Sequence, residues 1–295
     1  MGCSTANDAP SAAQQQDQGR ARPRCLGYQR SQSGPSTAGK ERHNAVVGQY
    51  IDSMLSPRSL GTLLRHLPGS CQVCARWPAQ PICIPCNHRY RTELHRCLTC
   101  ARPLPAGNQR CGACLAEHQA PALDACLAAV DYAYPWDQLI ARFKFRGEPA
   151  LAQPFANLML EQPGVRNLLC SADFLIPIPV TRTRLAERGY NQAWELCKAL
   201  SAHAGCHCAP GLPDGLVRLG QAPDQHELPA DIRVKNLKNA FAVHPEHSSK
   251  LQGLHVLLVD DVSTTGTTLR SAALALRQAG IGRVSAVVLA RTNVN

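Results

Sequence analysis

The sequence predicts an α/β fold: a parallel sheet flanked by helices, preceded by a small cysteine-rich module. Two observations carry this expectation. Val256-Leu257-Leu258-Val259 is a continuous apolar run, as expected of a strand buried on both faces. It ends in Asp260-Asp261 and a hydroxyl-rich turn, Ser263 to Thr268, after which Leu269, Ala272, Ala273 and Leu276 recur at helical spacing and Gly280 supplies a stop. The second observation is that eight of the fifteen cysteines form four C-x-x-C pairs in one window.

The 295 residues divide into three expected regions. Residues 1–53 are rich in Gln, Ser, Gly, Ala and Pro and cannot bury enough surface to order themselves, so a disordered tail is expected there. Met54 precedes the first amphipathic stretch, with Leu55, Leu60, Leu63, Leu64 and Leu67, and is read as the true start of the protein. Residues 54–120 form the cysteine-rich module and residues 121–295 the larger domain. No run of about 18 apolar residues exists, which argues against membrane insertion. The first residues lack the apolar core of a secretory signal, so none is expected, and Ala6 stands where a myristoylation site wants Ser or Thr. A reducing, cytoplasmic location is therefore expected, and the clustered cysteines are read as metal ligands rather than disulfides.

The pairs are Cys71/Cys74, Cys83/Cys86, Cys97/Cys100 and Cys111/Cys114. Each places two thiolates on one tight turn, and two turns close a tetrahedral site, so eight ligands imply two structural zinc ions. Redox dithiols are the competing reading, but four evenly spaced pairs do not resemble them. Spacing leaves open whether the pairs close sequentially or interleave. His88 and His95 are bystanders in this scheme, and Cys206-His207-Cys208 is too weak a pattern for a site. Cys126, Cys170 and Cys197 lie in apolar segments and read as small buried hydrophobes.

The module carries eight arginines (Arg58, Arg65, Arg76, Arg89, Arg91, Arg96, Arg102, Arg110), no lysine, and only Glu93 and Glu117 against them. It thus holds most of the chain's net charge of +10. Such a basic module suits a nucleic-acid backbone. The same arginines would equally serve to dock it on the larger domain.

In the larger domain, Ala128 to Tyr134 reads as a strand, Trp136 to Phe145 as a helix, Leu151 to Leu160 as a second helix, and Phe174 to Val180 as a buried strand ending near Pro177. A basic turn follows, Thr181-Arg182-Thr183-Arg184 and Arg188-Gly189-Tyr190-Asn191-Gln192, leading into a helix with Leu196 and Leu200. Arg offers bidentate contacts and Gly a close backbone approach, so a pyrophosphate would suit this turn. The polar segment from Arg218 to Phe241 reads as a functional loop bringing Arg218, Gln225 and Arg233 over the site. Val284 to Leu289 is the last strand.

The turn after the 256–259 strand lies where an open α/β sheet binds ligands. Backbone N–H groups at the helix start and the hydroxyls of Ser263, Thr264, Thr265, Thr267 and Thr268 make a phosphate cradle, with Gly266 allowing close approach. Asp260 and Asp261 can accept hydrogen bonds from neighbouring hydroxyls or hold a divalent cation through water. A ribose 5-phosphate offers both halves. Neither G-x-x-x-x-G-K-S/T nor a strand followed by G-x-G-x-x-G is present, which disfavours a nucleotide triphosphatase and a dinucleotide binder.

This stretch resembles the phosphoribosyl-pyrophosphate signature of type I phosphoribosyltransferases. Together with the Cys pairs, Lys144-Phe145-Arg146-Gly147, Pro177-Ile178-Pro179-Val180, Arg188-Gly189-Tyr190-Asn191-Gln192 and Arg218…Gln225…Arg233…Asn236…Ala240-Phe241, it resembles the ComF family in order and content from about Leu67 to Arg291. Ser263 departs mildly from the apolar residue often found there. The resemblance implies a type I phosphoribosyltransferase-like sheet behind a double zinc ribbon. It also implies that Asp260 and Asp261 hold the ribose hydroxyls at the catalytic centre and that residues 263–268 hold the 5-phosphate. Lys144, Arg184, Arg188, Gly189, Asn191, Gln192, Arg218, Gln225 and Arg233 would serve the pyrophosphate with Mg2+. The implied setting is DNA uptake, with single-stranded DNA and DNA-uptake or recombination proteins as partners. A glutamine amidotransferase function finds no nucleophilic Cys or second domain here. A DNA-binding adaptor with a catalytically silent sugar-phosphate site is the alternative.

Overall fold

The computed structural model describes residues 69–116, 121–203, 209–219 and 240–293. The tail, Met54, Arg58, Arg65, Glu117, Cys206 to Cys208, Gln225, Arg233 and Asn236 lie outside the described residues. Leu67–Asn295 form one compact unit.

The cysteine-rich segment contributes two short helices, α1 (Ile84–Tyr90) and α2 (Gly112–Leu115). The larger domain then runs through β1 (Ala125–Asp131), α3 (Trp136–Phe145), α4 (Ala152–Glu161), α5 (Val165–Ser171), β2 (Phe174–Pro177), α6 (Arg182–Arg188) and α7 (Gln192–His203). After it come β3 (Leu216–Arg218), β4 (Phe241–Val243), α8 (Pro245–Leu251), β5 (His255–Ser263), α9 (Thr267–Gln278) and β6 (Arg283–Arg291).

Four strands pair in the order β1-β6-β5-β2, all parallel. Parallel neighbours require crossovers, and these cover both faces of the sheet. Leu257, Val259, Val287 and Leu289 pack with Phe143, Phe155, Met159, Leu196 and Leu200 on one face. The alternate residues Val256, Leu258, Ala286 and Val288 pack with Leu269, Ala272, Ala273, Leu276 and Phe241 on the other. This period-2 split is why the run reads as continuously apolar. Each fully buried Val or Leu contributes about 1.5–3 kcal/mol. β3 and β4 form a separate antiparallel pair.

The expected helix at 136–145 is present with those bounds, and the second is α4, entered through a 3-10 turn at Pro149–Leu151. The first strand lies at 125–131 rather than 128–134, because its pairing with β6 runs from Ala125 opposite Ser285 to Asp131 opposite Arg291. The expected basic turn at 181–188 is instead a helix, α6. Thr181 caps it, its hydroxyl accepting from Arg184 N at 3.2 Å, and Gly189 ends it at φ +77°. Cys126 and Cys197 are buried as expected, whereas Cys170 is exposed on α5, a helix that was not anticipated. Among the described residues no helix is long and apolar enough to cross a membrane.

Candidate functional site

β5 is longer than its apolar core. It continues through Asp260, Asp261 and Val262 to Ser263, because β6 pairs with it as far as Ser263 opposite Arg291. The acidic pair therefore stands within the last residues of the strand, on rigid backbone, rather than beyond its end. Consecutive strand residues leave opposite faces. Lys144 of α3 meets Asp261, Nζ to Oδ1 3.0 Å, and the positive charges of Lys144 and Arg218 act on Asp260. Burial and the neighbouring Asp261 nevertheless push the Asp260 carboxyl up to about 8, well above the usual carboxylate range. Asp260 Oδ1 also accepts from Asp261 N at 2.8 Å, which holds the Asp260 carboxyl against its own strand.

The strand leads directly into the loop. Ser263 is buried, whereas Thr264, Thr265, Thr267 and Thr268 are exposed. Thr265 Oγ1 lies 2.8 Å from Thr267 Oγ1 and accepts from Thr267 N at 3.4 Å. Gly266 adopts φ +86°, a left-handed conformation that opens the first turn of α9. The result is a hydroxyl-lined cradle at the N-terminus of a twelve-residue helix, next to two carboxylates.

The other expected site residues are distributed as follows. Arg184 is exposed on α6. Arg188 is half-buried, donates to Gln192 Oε1 at 2.9 Å and lies over the Phe145 ring, 4.9 Å from its centroid. Asn191 donates to Ile178 O and accepts from Ala193 N, so it ties the start of α7 to the end of the β2 segment. Gln192 is buried with its amide nitrogen unpartnered. Arg218 stacks on Phe241 at 5.4 Å, bracing the β3–β4 pair.

The cysteines close sequentially. Cys71, Cys74, Cys83 and Cys86 form one group and Cys97, Cys100, Cys111 and Cys114 a second, with the sulfurs of each within 4.8 Å of one another. Each could hold one tetrahedral metal ion such as zinc. Burial raises the Cys71 thiol, but backbone N–H groups of Cys83, Cys74 and Val73 pull it down to about 6, so the fold itself favours a thiolate. Cys97 behaves alike, brought to about 7 against its burial by N–H groups of Cys111, Thr99 and Cys100.

The two groups dock differently. The first lies against α3 and α4: Arg91 pairs with Glu161 at 2.9 Å, Arg142 Nη2 donates to Gln72 Oε1 at 2.8 Å, and Trp136 Nε1 donates to Tyr90 O at 3.0 Å. The second lies against the sheet: Cys126 N on β1 donates to Leu98 O at 2.7 Å, and Arg96 pairs with Asp131 at 2.8 Å. Arg91 and Arg96 therefore dock the module, while Arg76 and Arg89 remain exposed. Sequence reasoning missed Arg291, which is fully buried at the end of β6. Its signal was a charge closing an otherwise apolar strand.

A family model described as a phosphoribosyl transferase domain matches residues 220–294. The chain is 33% identical over 233 residues to the DNA utilization protein YhgH of Shigella flexneri, covering 77% of this chain and 98% of that one. It is 32% identical over 213 residues to competence protein F of Haemophilus influenzae, covering 71% and 90%.

The chain belongs to the ComF family.

Competence protein ComFC of Bacillus subtilis is more distant, 28% identical over 167 residues. A solved glutamine phosphoribosylpyrophosphate amidotransferase from B. subtilis overlaps at a TM-score of 0.30 and 17% identity, covering 50% of this chain and 30% of that one, too slight a likeness to carry weight. As a ComF-family chain, it has a type I phosphoribosyltransferase-like sheet, with the acidic pair and the threonine loop both at the C-terminal edge of β5. The paired cysteine groups lie N-terminal to that sheet.

Proposed function

We propose that this chain binds phosphoribosyl pyrophosphate, or a related ribose 5-phosphate, with Mg2+ at the β5–α9 junction. The supporting observation is the direct succession of Asp260-Asp261 and the Thr265-Gly266-Thr267 turn at a parallel-strand end and a helix N-terminus. The carboxylates accept from the ribose hydroxyls, and the N–H groups and hydroxyls of residues 263–268 receive the 5-phosphate. Arg184 and Arg188, on α6 just before α7, supply cations for the pyrophosphate that Mg2+ accompanies. Departure of that pyrophosphate builds positive charge at the anomeric carbon, which the acidic pair stabilises once Asp260 is ionised, making the chain a phosphoribosyltransferase toward an unnamed acceptor. The relatives' names, DNA utilization and competence, favour a role in using external DNA. The free cysteines of two metal groups suit a reducing compartment such as the cytoplasm, with structural zinc in both.

Thermal shift with the ligand's parts offered separately tests this reading. Phosphoribosyl pyrophosphate with Mg2+ should stabilise more than ribose 5-phosphate, and ribose 5-phosphate more than pyrophosphate alone. Equal stabilisation by free pyrophosphate would count against a ribose subsite.

A second reading is supported by the exposed Arg76, followed in the chain by the exposed Trp77, and by the exposed Arg89, which lies over the Tyr90 ring at 5.5 Å. Cations beside an aromatic face suit single-stranded DNA, so the module would act as a nucleic-acid adaptor. The two readings are compatible within one chain.

A further inference from the structure

Arg291 lies at the meeting point of the loop and the second cysteine group. Its backbone is in register with Asp131 of β1 on one side and Ser263 of β5 on the other. Its guanidinium is 0% exposed and is shared between the two regions. Nε donates to Cys100 O at 3.1 Å, while Nη1 donates to Ser263 O at 3.0 Å and Thr292 O at 3.2 Å. Nη2 has no partner, and among the described residues no carboxylate pairs with this cation. Asp131, the acid in register with it, is taken by Arg96.

A buried guanidinium without a counter-charge is costly. With Asp131 taken by Arg96, the cysteine group whose Cys100 carbonyl Arg291 touches is a further source of negative charge. Four thiolates around a divalent ion carry a net negative charge on the group. A metal ion held by Cys97, Cys100, Cys111 and Cys114 would fix the Cys100 carbonyl and supply a negative group facing Arg291. The other arm of Arg291 holds Ser263, the first residue of the phosphate loop.

We propose that Arg291 is a positioning residue that couples metal occupancy at Cys97, Cys100, Cys111 and Cys114 to the geometry, and hence the phosphate affinity, of the 263–268 loop. Among the described contacts the first cysteine group makes no bond to the 263–268 loop: its contacts run to α3 and α4, and α3 meets β5 at Asp261, through Lys144, rather than at the loop. The affinity part of this proposal rests on the function proposed above, whereas the loop part does not.

The experiment compares wild type, Arg291→Lys, Cys114→Ser, Cys74→Ser and the Arg291→Lys/Cys114→Ser double variant, with zinc content, melting and phosphoribosyl pyrophosphate calorimetry for each. Lysine keeps the charge but not the fork that spans two carbonyls. Arg291→Lys should keep both zinc ions and weaken binding about tenfold, the scale of one charge-assisted hydrogen bond. Cys114→Ser should lose one zinc and weaken binding similarly, and the double variant should be little worse than either, because both cut one path. Cys74→Ser should lose the other zinc and leave affinity within about twofold. Equal losses in Cys74→Ser and Cys114→Ser, or unchanged affinity in a folded Arg291→Lys, would overturn the coupling. If wild type does not bind the ligand, the functional proposal fails and amide hydrogen exchange of residues 263–268 decides the coupling. Faster exchange in Arg291→Lys and Cys114→Ser, but not in Cys74→Ser, upholds it, and unchanged exchange refutes it.

Discussion

Lys144 Nζ lies 3.0 Å from Asp261 Oδ1, and both side chains are largely shielded from water. The ion pair joins the end of α3 to the end of β5 and partly neutralises two adjacent carboxylates. Without it, Asp260 and Asp261 would repel each other at close range in a poorly solvated position. Lys144→Met should therefore destabilise the protein by about 1–2 kcal/mol at pH 8 and by much less at pH 5, where protonation relieves the pair. Thermal melts at the two pH values check this, and an equal loss at both would contradict it.

The sign of the pH dependence follows from Asp260. Its value rises from 3.8 unfolded to about 8 folded, through burial first and Asp261 second. A raised acid contributes stability that is full below pH 3.8 and is lost as pH rises through about 8. Asp260→Asn should melt like wild type near the low end and be more stable by roughly 1 kcal/mol or more at the high end, after discounting for partial exposure and the Lys144 charge. A wild-type slope retained in the variant would show that Asp260 does not carry it.

Gly266→Ala tests the loop. An added Cβ meets nothing within 4 Å, so its cost comes from the φ of +86° alone. It should lower stability by about 1–2 kcal/mol and weaken sugar-phosphate binding without disturbing the cysteine groups. Calorimetry and zinc content measure both effects, and unchanged affinity would remove the loop from the site.

The arginines separate into two sets. Arg76→Gln with Arg89→Gln should weaken single-stranded DNA binding and reduce its salt slope by about 1.4, at about 0.7 for each lost cation. Arg96→Gln should instead lower stability, since it strands Asp131, with a slope that changes less. DNA binding indifferent to the first pair would end the adaptor reading.

Much of this was readable from sequence because the signals were local. The β5–α9 unit joins a buried strand, a turn and an amphipathic helix within one stretch. The cysteine spacing encodes its own chemistry. What escaped was set by tertiary context. β5 runs on to Ser263 because β6 pairs with it there, and no local feature of Asp260-Asp261 announces that. The 181–188 segment looked like a basic turn, yet Thr181 and Gly189 cap it as a helix. The sequence left Arg91 and Arg96 open between nucleic-acid contact and docking, and the choice was made by Glu161 and Asp131, both distant in sequence. Arg291 gained its role only when β1, β5 and the second cysteine group met around it.

The most direct measurement is calorimetry of phosphoribosyl pyrophosphate with Mg2+ against the zinc-loaded chain, with the Asp260→Asn/Asp261→Asn variant beside it. Saturable binding by wild type, tightening as pH rises and Asp260 ionises, and its loss in a folded variant are the predicted results. Absence of binding in both, or equal binding in both, would contradict a sugar-phosphate site at the end of β5.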